Sequence, residues 1–251
     1  MRALPGITVV VPVTNFYTYA DRLKLCLASI TKQTCDEYDV ILSYMGDELH
    51  FPHFYDLTVV AEPAQEQFMP ALIRNIGARW ARRQYVTFVD ADAVLHPHAL
   101  EASIDVCCPE TFTTITTAMT SQKVDDPAYW GALEDVDVFN RLAHEAPKAP
   151  GTGCCTTTTT VDFNRARGFH EGMIGYGPTD WEFTGRLAGN GFEQKDLSAM
   201  YGIYNLHQNH DRPFQDKDPE NVPSRKRNRA VLEESMRTDG LTRNGPRWGG
   251  C

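Results

Sequence analysis

Apolar and polar positions along the chain alternate between two rhythms. Ile7 to Val13 (ITVVVPV) is a continuous β-branched run, the pattern of a strand buried on both faces. Leu23, Leu27 and Ile30 then recur at helical spacing behind Asp21, a residue able to cap the helix. Asp39 to Tyr44 (DVILSY) and Leu57 to Ala61 (LTVVA) predict a second and a third strand. Pro70 to Arg83 (PALIRNIGARWARR) predicts a helix on the stripe Leu72, Ile73, Ile76 and Trp80, and Tyr85 to Val89 a further strand. Strands alternating with helices in this way imply a parallel sheet.

Farther along, Phe112 to Met119 (FTTITTAM) and Thr156 to Val161 (TTTTTV) predict strands by β-branching. Pro127 to Ala143 predicts one helix on Tyr129, Leu133, Val136, Phe139 and Ala143, and Ala146 to Gly153 a loop. Pro178 and Thr179 start a helix with Phe183 and Leu187 on one face, stopped by Gly189 or Gly191. Ala199 to Tyr204 predicts a strand. From Asp211 the composition shifts to Pro, Arg, Lys, Asp and Asn, which predicts a helix over Ser224 to Arg237 and a loose tail over Thr238 to Cys251.

The chain has 251 residues, 42% hydrophobic and 23% charged, enough for one α/β domain with a sizeable core and a tail. A net charge of -9 argues against a nucleic-acid binder, which needs a basic footprint. No apolar run reaches the length of a membrane span, so the expectation is a cytoplasmic protein. The seven cysteines show no CxxC spacing, and reduced, mostly buried thiols are expected.

Two stretches carry candidate chemistry. The strand Tyr85 to Val89 ends in Asp90 and Asp92, with only Ala91 between them. Strand alternation would send both carboxylates to the same side. Two like charges 4 Å apart cost about 1 kcal/mol in water and about 4 at an effective dielectric of 20, which recruits a cation or raises a pKa. The alternative is a turn and a helix cap. No glycine-rich loop follows the first strand, so neither a dinucleotide fold nor a P-loop is indicated. In an open parallel sheet ligands collect at the carboxyl ends of the strands, where Thr14, Tyr44, Asp90 and Asp92 emerge, with Arg74 and Asn75 flanking them.

The second stretch is Gly168 to Gly191 (GFHEGMIGYGPTDWEFTGRLAGNG). Here Gly172, Gly175 and Gly177 form a loop that backbone or ligand can approach closely, and Asp180 and Glu182 fall in the first turn of the following helix. Acids in a first turn are ordinary; a functional one must be aimed into the cleft to take a proton from a hydroxyl. His207 and His210, in YNLHQNH, follow the predicted last strand and offer imidazoles.

In this order, ITVVVPV, ALIRNIGARWARRQYVTFVDADAVLHP, GFHEGMIGYGPTDWEFTGRLAGNGF and YNLHQNH resemble the inverting, metal-dependent nucleotide-sugar glycosyltransferases of the GT-A fold. The last two look most like the catalytic region of β-1,4-galactosyltransferases and bacterial chondroitin-type polymerases. The resemblance implies a Rossmann-like, mostly parallel central sheet flanked by helices, a GT-A domain over 1–210 and an extension over 211–251. It implies Asp90 and Asp92 as the DxD motif, with Asp90 on the nucleotide and Asp92 on Mn²⁺ or Mg²⁺. His207 is implied as the second metal ligand, with His210 the weaker candidate. Pro12, Thr14, Arg74 and Asn75 would line the nucleotide pocket, Asp180 would be the general base, and Tyr176 and Gly177 would adjoin the sugar.

Two positions depart from the family pattern. The acid that reads the base falls near Tyr44 or Met45, which leaves stacking by Tyr44 or contact from Asp47. Thr179 stands where the family has the first acid of a Glu-Asp pair, with Glu182 as a partial substitute. The implied partners are a UDP-sugar carrying galactose, N-acetylgalactosamine or N-acetylglucosamine, and a hydroxyl acceptor such as a carbohydrate. A retaining transferase, a sugar nucleotidyltransferase and a catalytically silent sugar-binding module are the competing readings.

Overall fold

A computed structural model describes residues 3–14, 20–46, 56–123, 126–149, 155–209 and 221–250. The first half alternates strand and helix: β1 (Leu4–Thr14), α1 (Ala20–Thr31), β2 (Tyr38–Met45), β3 (Thr58–Glu62), α2 (Pro70–Ala78), β4 (Arg83–Phe88), β5 (Ala93–Val94) and α3 (Ala99–Val106). Then come β6 (Thr111–Thr114), β7 (Thr117–Lys123), α4 (Pro127–Glu134), α5 (Val136–Glu145), β8 (Lys148–Ala149), β9 (Thr156–Thr159) and α6 (Thr160–Ala166). The chain closes with α7 (Thr179–Gly189), β10 (Glu193–Asp196), α8 (Leu197–Tyr201), β11 (Asn205–Asn209) and α9 (Asn221–Arg237).

Seven strands form the main sheet in the order β10-β6-β9-β4-β1-β2-β3, and β5-β11-β7-β8 form a smaller one. As expected the main sheet is mostly parallel, with β9 antiparallel to β4 and β6. Alternation along β1 divides the core. Ile7, Val9, Val11 and Val13 join Leu23, Leu27 and Leu100 on the α1 and α3 side. Val10 packs on the opposite side with Ala71, Phe163, Phe169, Phe183 and Trp248.

Several elements differ from the pattern reading. The run 112–119 is not one strand: β6 lies in the main sheet and β7 in the small one, with the Thr116 amide donating to Ser198 Oγ at the break (2.8 Å). The helix over 127–143 is two, because Asp135 leaves helical geometry and its carboxylate caps the Asp137 amide at 2.9 Å. Residues 197–201 are helical, capped by Asp196, and the strand begins only at Asn205. Helix α2 stops at Ala78, so Trp80 leaves the apolar stripe and is 52% exposed. The Asp21 side chain and the loop at 150–153 lie outside the described residues.

The C-terminal segment is a packed part of the domain rather than a loose tail. Trp248 is 5% exposed, with its ring 5.7 Å from Phe163 and 5.0 Å from the Arg79 guanidinium carbon. Asn244 Nδ2 donates to Arg167 O, and the Gly249 amide donates to Glu171 Oε1 at 2.6 Å. Burial of one indole and such backbone contacts outweigh the polar composition, because an aromatic side chain buries about 150–250 Å².

Candidate active site

Strand β4 delivers the acid pair. Its pairing with β1 ends as the Val89 amide donates to Val10 O, and the Ala93 amide then donates back to Asp90 O at 2.9 Å, closing a turn over Asp90–Ala93. The turn and the charged pair are therefore one feature. Because the strand stops before the acids, its alternation does not carry through them and they meet different partners. Asp90 Oδ1 accepts from Arg74 Nη2 at 2.6 Å. Asp92 Oδ2 stands 3.6 Å from His207 Nε2.

Strand pairing brings His207 there. After the turn, β5 runs antiparallel to β11, with His207 opposite Ala93, and the Gln208 amide donates to Asp92 O at 2.9 Å. Thr120 Oγ1 donates to His207 O at 2.6 Å from the other side. The Asp92 and His207 side chains are 18% and 17% exposed, and both residues are fixed at the backbone. Among the described residues no group of three or more His, Cys, Asp or Glu side chains gathers as a metal site. At 3.6 Å the two donor atoms stand somewhat wider than the roughly 3 Å that ligand bonds of about 2.1 Å meeting at a right angle give, so a shared ion would draw them slightly together. His210 lies outside the described residues.

Arg74, on α2, stands beside the acid pair. Its Nη2 is 3.8 Å from Asp180 Oδ1 and its Nη1 is 3.5 Å from Thr179 Oγ1, both at the start of α7. Burial, opposed by Arg74 and reinforced by the carboxylates of Asp180 and Asp92, pushes the Asp90 carboxyl up to about 7. Thr14, at the end of β1, is 4% exposed, and its hydroxyl has no hydrogen-bond partner among the described residues. Pro12, partly exposed, shares that face of the strand.

Five expected site residues have other duties. Glu182 is fully buried: its oxygens accept from Arg186 Nε (2.7 Å), Arg186 Nη2 (3.1 Å) and Ser235 Oγ (2.6 Å), so it is not available as a substitute acid. Arg186 uses its remaining N–H groups on Ala166 O, Leu241 O and Gly168 O, tying α6, α7 and the C-terminal segment together. Asn75, 0% exposed, donates to Phe169 O and Glu171 Oε1 and accepts from the Phe169 amide, which leaves it holding the 169–171 loop instead of a nucleotide. Tyr44 is 5% exposed and packed in the α1-side core, so its ring offers no stacking face; Asp47 lies outside the described residues. Thr179, 3% exposed, is held beneath Arg74. At Gly177 a Cβ would stand 2.6 Å from Asn228 Cβ, so this glycine admits α9.

Tyr176 keeps a partly exposed ring, with the Arg225 guanidinium carbon 4.4 Å from its centroid. Asn228 Nδ2 donates to Ile174 O and Tyr176 O, both at 3.0 Å, and clamps the loop that leads to Asp180. Reading the sequence alone missed this clamp and the role of Thr120. Neither leaves a local signal, because the partners come from remote segments.

Residues 54–164 match the family model for glycosyl transferase family 2. That span holds Arg74, Asp90 and Asp92 but ends before Asp180 and His207. No curated protein sequence matches the chain. Among solved structures it is similar to S. aureus TarS, with a TM-score of 0.54 and 16% identity over 81% of this chain and 37% of that one. It is also similar to the mannosyltransferase PcManGT from Pyrobaculum calidifontis, solved in complex with GDP-Man and Mn²⁺, with a TM-score of 0.59 and 16% identity over 95% of this chain and 66% of that one. The chain thus spans about a third to two thirds of the length of these structures. The likeness establishes the fold: a mixed α/β domain of the GT-A glycosyltransferase type, with a large central sheet flanked by helices.

Proposed function

We propose that the chain is a metal-dependent inverting glycosyltransferase that moves a sugar from a nucleotide-sugar donor, in the first instance a UDP-sugar, to a hydroxyl acceptor. The observation that carries this reading is the approach of His207 to Asp92 at 3.6 Å, beside a cluster in which Arg74 meets both Asp90 and Asp180. The family match over 54–164 and the GT-A fold support it.

Asp92 and His207 would hold the divalent ion, Mn²⁺ in preference to Mg²⁺ because one ligand is an imidazole. Bound there, the cation supplies charge neutralisation for the leaving diphosphate. Pro12, Thr14 and Asp90 would line the donor side, where the Thr14 hydroxyl has no hydrogen-bond partner among the described residues. Asp180, in the first turn of α7 and 19% exposed, accepts the proton of the attacking hydroxyl. Its C–O bond forms as the bond to the diphosphate breaks, and attack from the face opposite the leaving group inverts the anomeric centre. Tyr176 offers a partly exposed ring for the sugar or the acceptor.

The test is a panel of UDP- and GDP-sugars, with and without Mn²⁺ or Mg²⁺, followed by calorimetry and by NMR of the product anomer. Metal-dependent binding of one donor and an inverted product are expected. A product keeping the configuration of the donor would favour the retaining alternative and remove Asp180 from its role.

A further inference from the structure

Arg74 faces two carboxylates that arrive on different elements. Its Nη2 bonds Asp90, from the donor-side turn, at 2.6 Å and stands 3.8 Å from Asp180 in the first turn of α7. Its Nη1 reaches Thr179 Oγ1 at 3.5 Å and Pro70 O at 3.3 Å. The guanidinium carbon lies 5.5 Å from the centroid of Phe169, a ring packed in turn on Phe88 and Phe183. The side chain is 6% exposed and approached from several directions, so its position is fixed before any ligand arrives.

The two carboxylates are held differently. At 2.6 Å the bond to Asp90 is a charge-assisted hydrogen bond. At 3.8 Å Asp180 feels the charge of the guanidinium without a hydrogen bond to it. We propose that Arg74 is the positioning residue of the general base: it aims Asp180 at the acceptor hydroxyl while its short bond to Asp90 leaves the base free to take a proton. This rests on the glycosyltransferase reading above. During transfer the acceptor O–H proton passes to Asp180, the acceptor oxygen bonds the anomeric carbon, and the electron pair of the broken bond leaves with the nucleoside diphosphate. Asp180 then carries no charge. Arg74 keeps its 2.6 Å bond to Asp90 throughout, so the buried guanidinium remains hydrogen-bonded.

A double-mutant cycle tests this with the donor that the panel identifies, Mn²⁺, and water as acceptor, following release of nucleoside diphosphate. Arg74→Lys keeps the charge but loses the fork that meets both acids. It should lower kcat by about 10²-fold, the cost of a misplacement of about 1 Å, and lower donor affinity by calorimetry far less. In the Asp180→Asn background the same change should have no further effect on kcat. Arg74→Gln should give the same pattern, and either variant suffices if the other fails to fold. Effects that multiply in the double mutant, or a loss of donor affinity at constant kcat, would overturn the proposal and return Arg74 to the nucleotide pocket. If the unaltered protein turns over no nucleotide-sugar, the functional reading fails, and this proposal fails with it.

Discussion

His207 Nε2 stands 3.6 Å from Asp92 Oδ2 because β11 folds back antiparallel beside β5 and places His207 opposite Ala93. If the two share an ion, removing either donor should lower metal-dependent donor affinity by about 10-fold or more. Calorimetry on Asp92→Ala and His207→Ala, each with and without Mn²⁺, measures it. Equal affinity with and without metal in the unaltered protein would contradict the shared site.

Asp180 opens α7 above Arg74. Asp180→Asn preserves shape and removes the proton acceptor. Turnover should fall by roughly 10²–10⁴-fold while donor binding persists. A parallel loss of donor affinity would place Asp180 in the donor pocket.

Glu182 and Arg186 are a fully buried pair, with Ser235 bonded to the carboxylate. Glu182→Ala strands the Arg186 charge, and breaking such a pair costs about 3–5 kcal/mol. Chemical denaturation should show that loss, whereas kcat per folded molecule should change far less than in Asp180→Asn. A folded, stable variant with abolished turnover would make Glu182 catalytic after all.

Trp248 closes the aromatic cluster of Phe163, Phe169 and Phe183. Trp248→Ala should destabilise the domain by about 3–5 kcal/mol. A loss of unfolding free energy below about 1 kcal/mol would mean that the C-terminal segment packs weakly.

His96 is 4% exposed, and its Nδ1 accepts the His98 amide at 3.2 Å, which leaves the ring hydrogen on Nε2, 3.2 Å from Asn140 Oδ1. Burial, only partly offset by the Asn140 bond, lowers its pKa from 6.5 to about 4. The unfolded chain therefore binds the proton more tightly than the folded one. This contribution is fully present above about pH 6.5 and is lost as pH falls toward 4, up to about 3 kcal/mol. Urea titrations across that range should show the loss, and His96→Gln should flatten that part of the profile.

By itself, the sequence determined the elements whose partners are local. The run ITVVVPV, the stripe on α2, the start of α7 at Thr179 and the exit of β4 at Asp90 are legible because hydrophobic periodicity and breaker residues act over a few positions. It also supplied the residue types of the proposed site: paired acids, a later carboxylate and an imidazole. Tertiary structure decided which of them meet. Burial of Glu182 against Arg186 and Ser235, the enclosure of Asn75 by the 169–171 loop and the docking of Trp248 all depend on contacts between distant segments. The same holds for Arg74: nothing in its spacing shows that one guanidinium will face both Asp90 and Asp180. Local pattern fixes which face of an element is apolar, but only packing of the whole chain fixes which charge stands beside which.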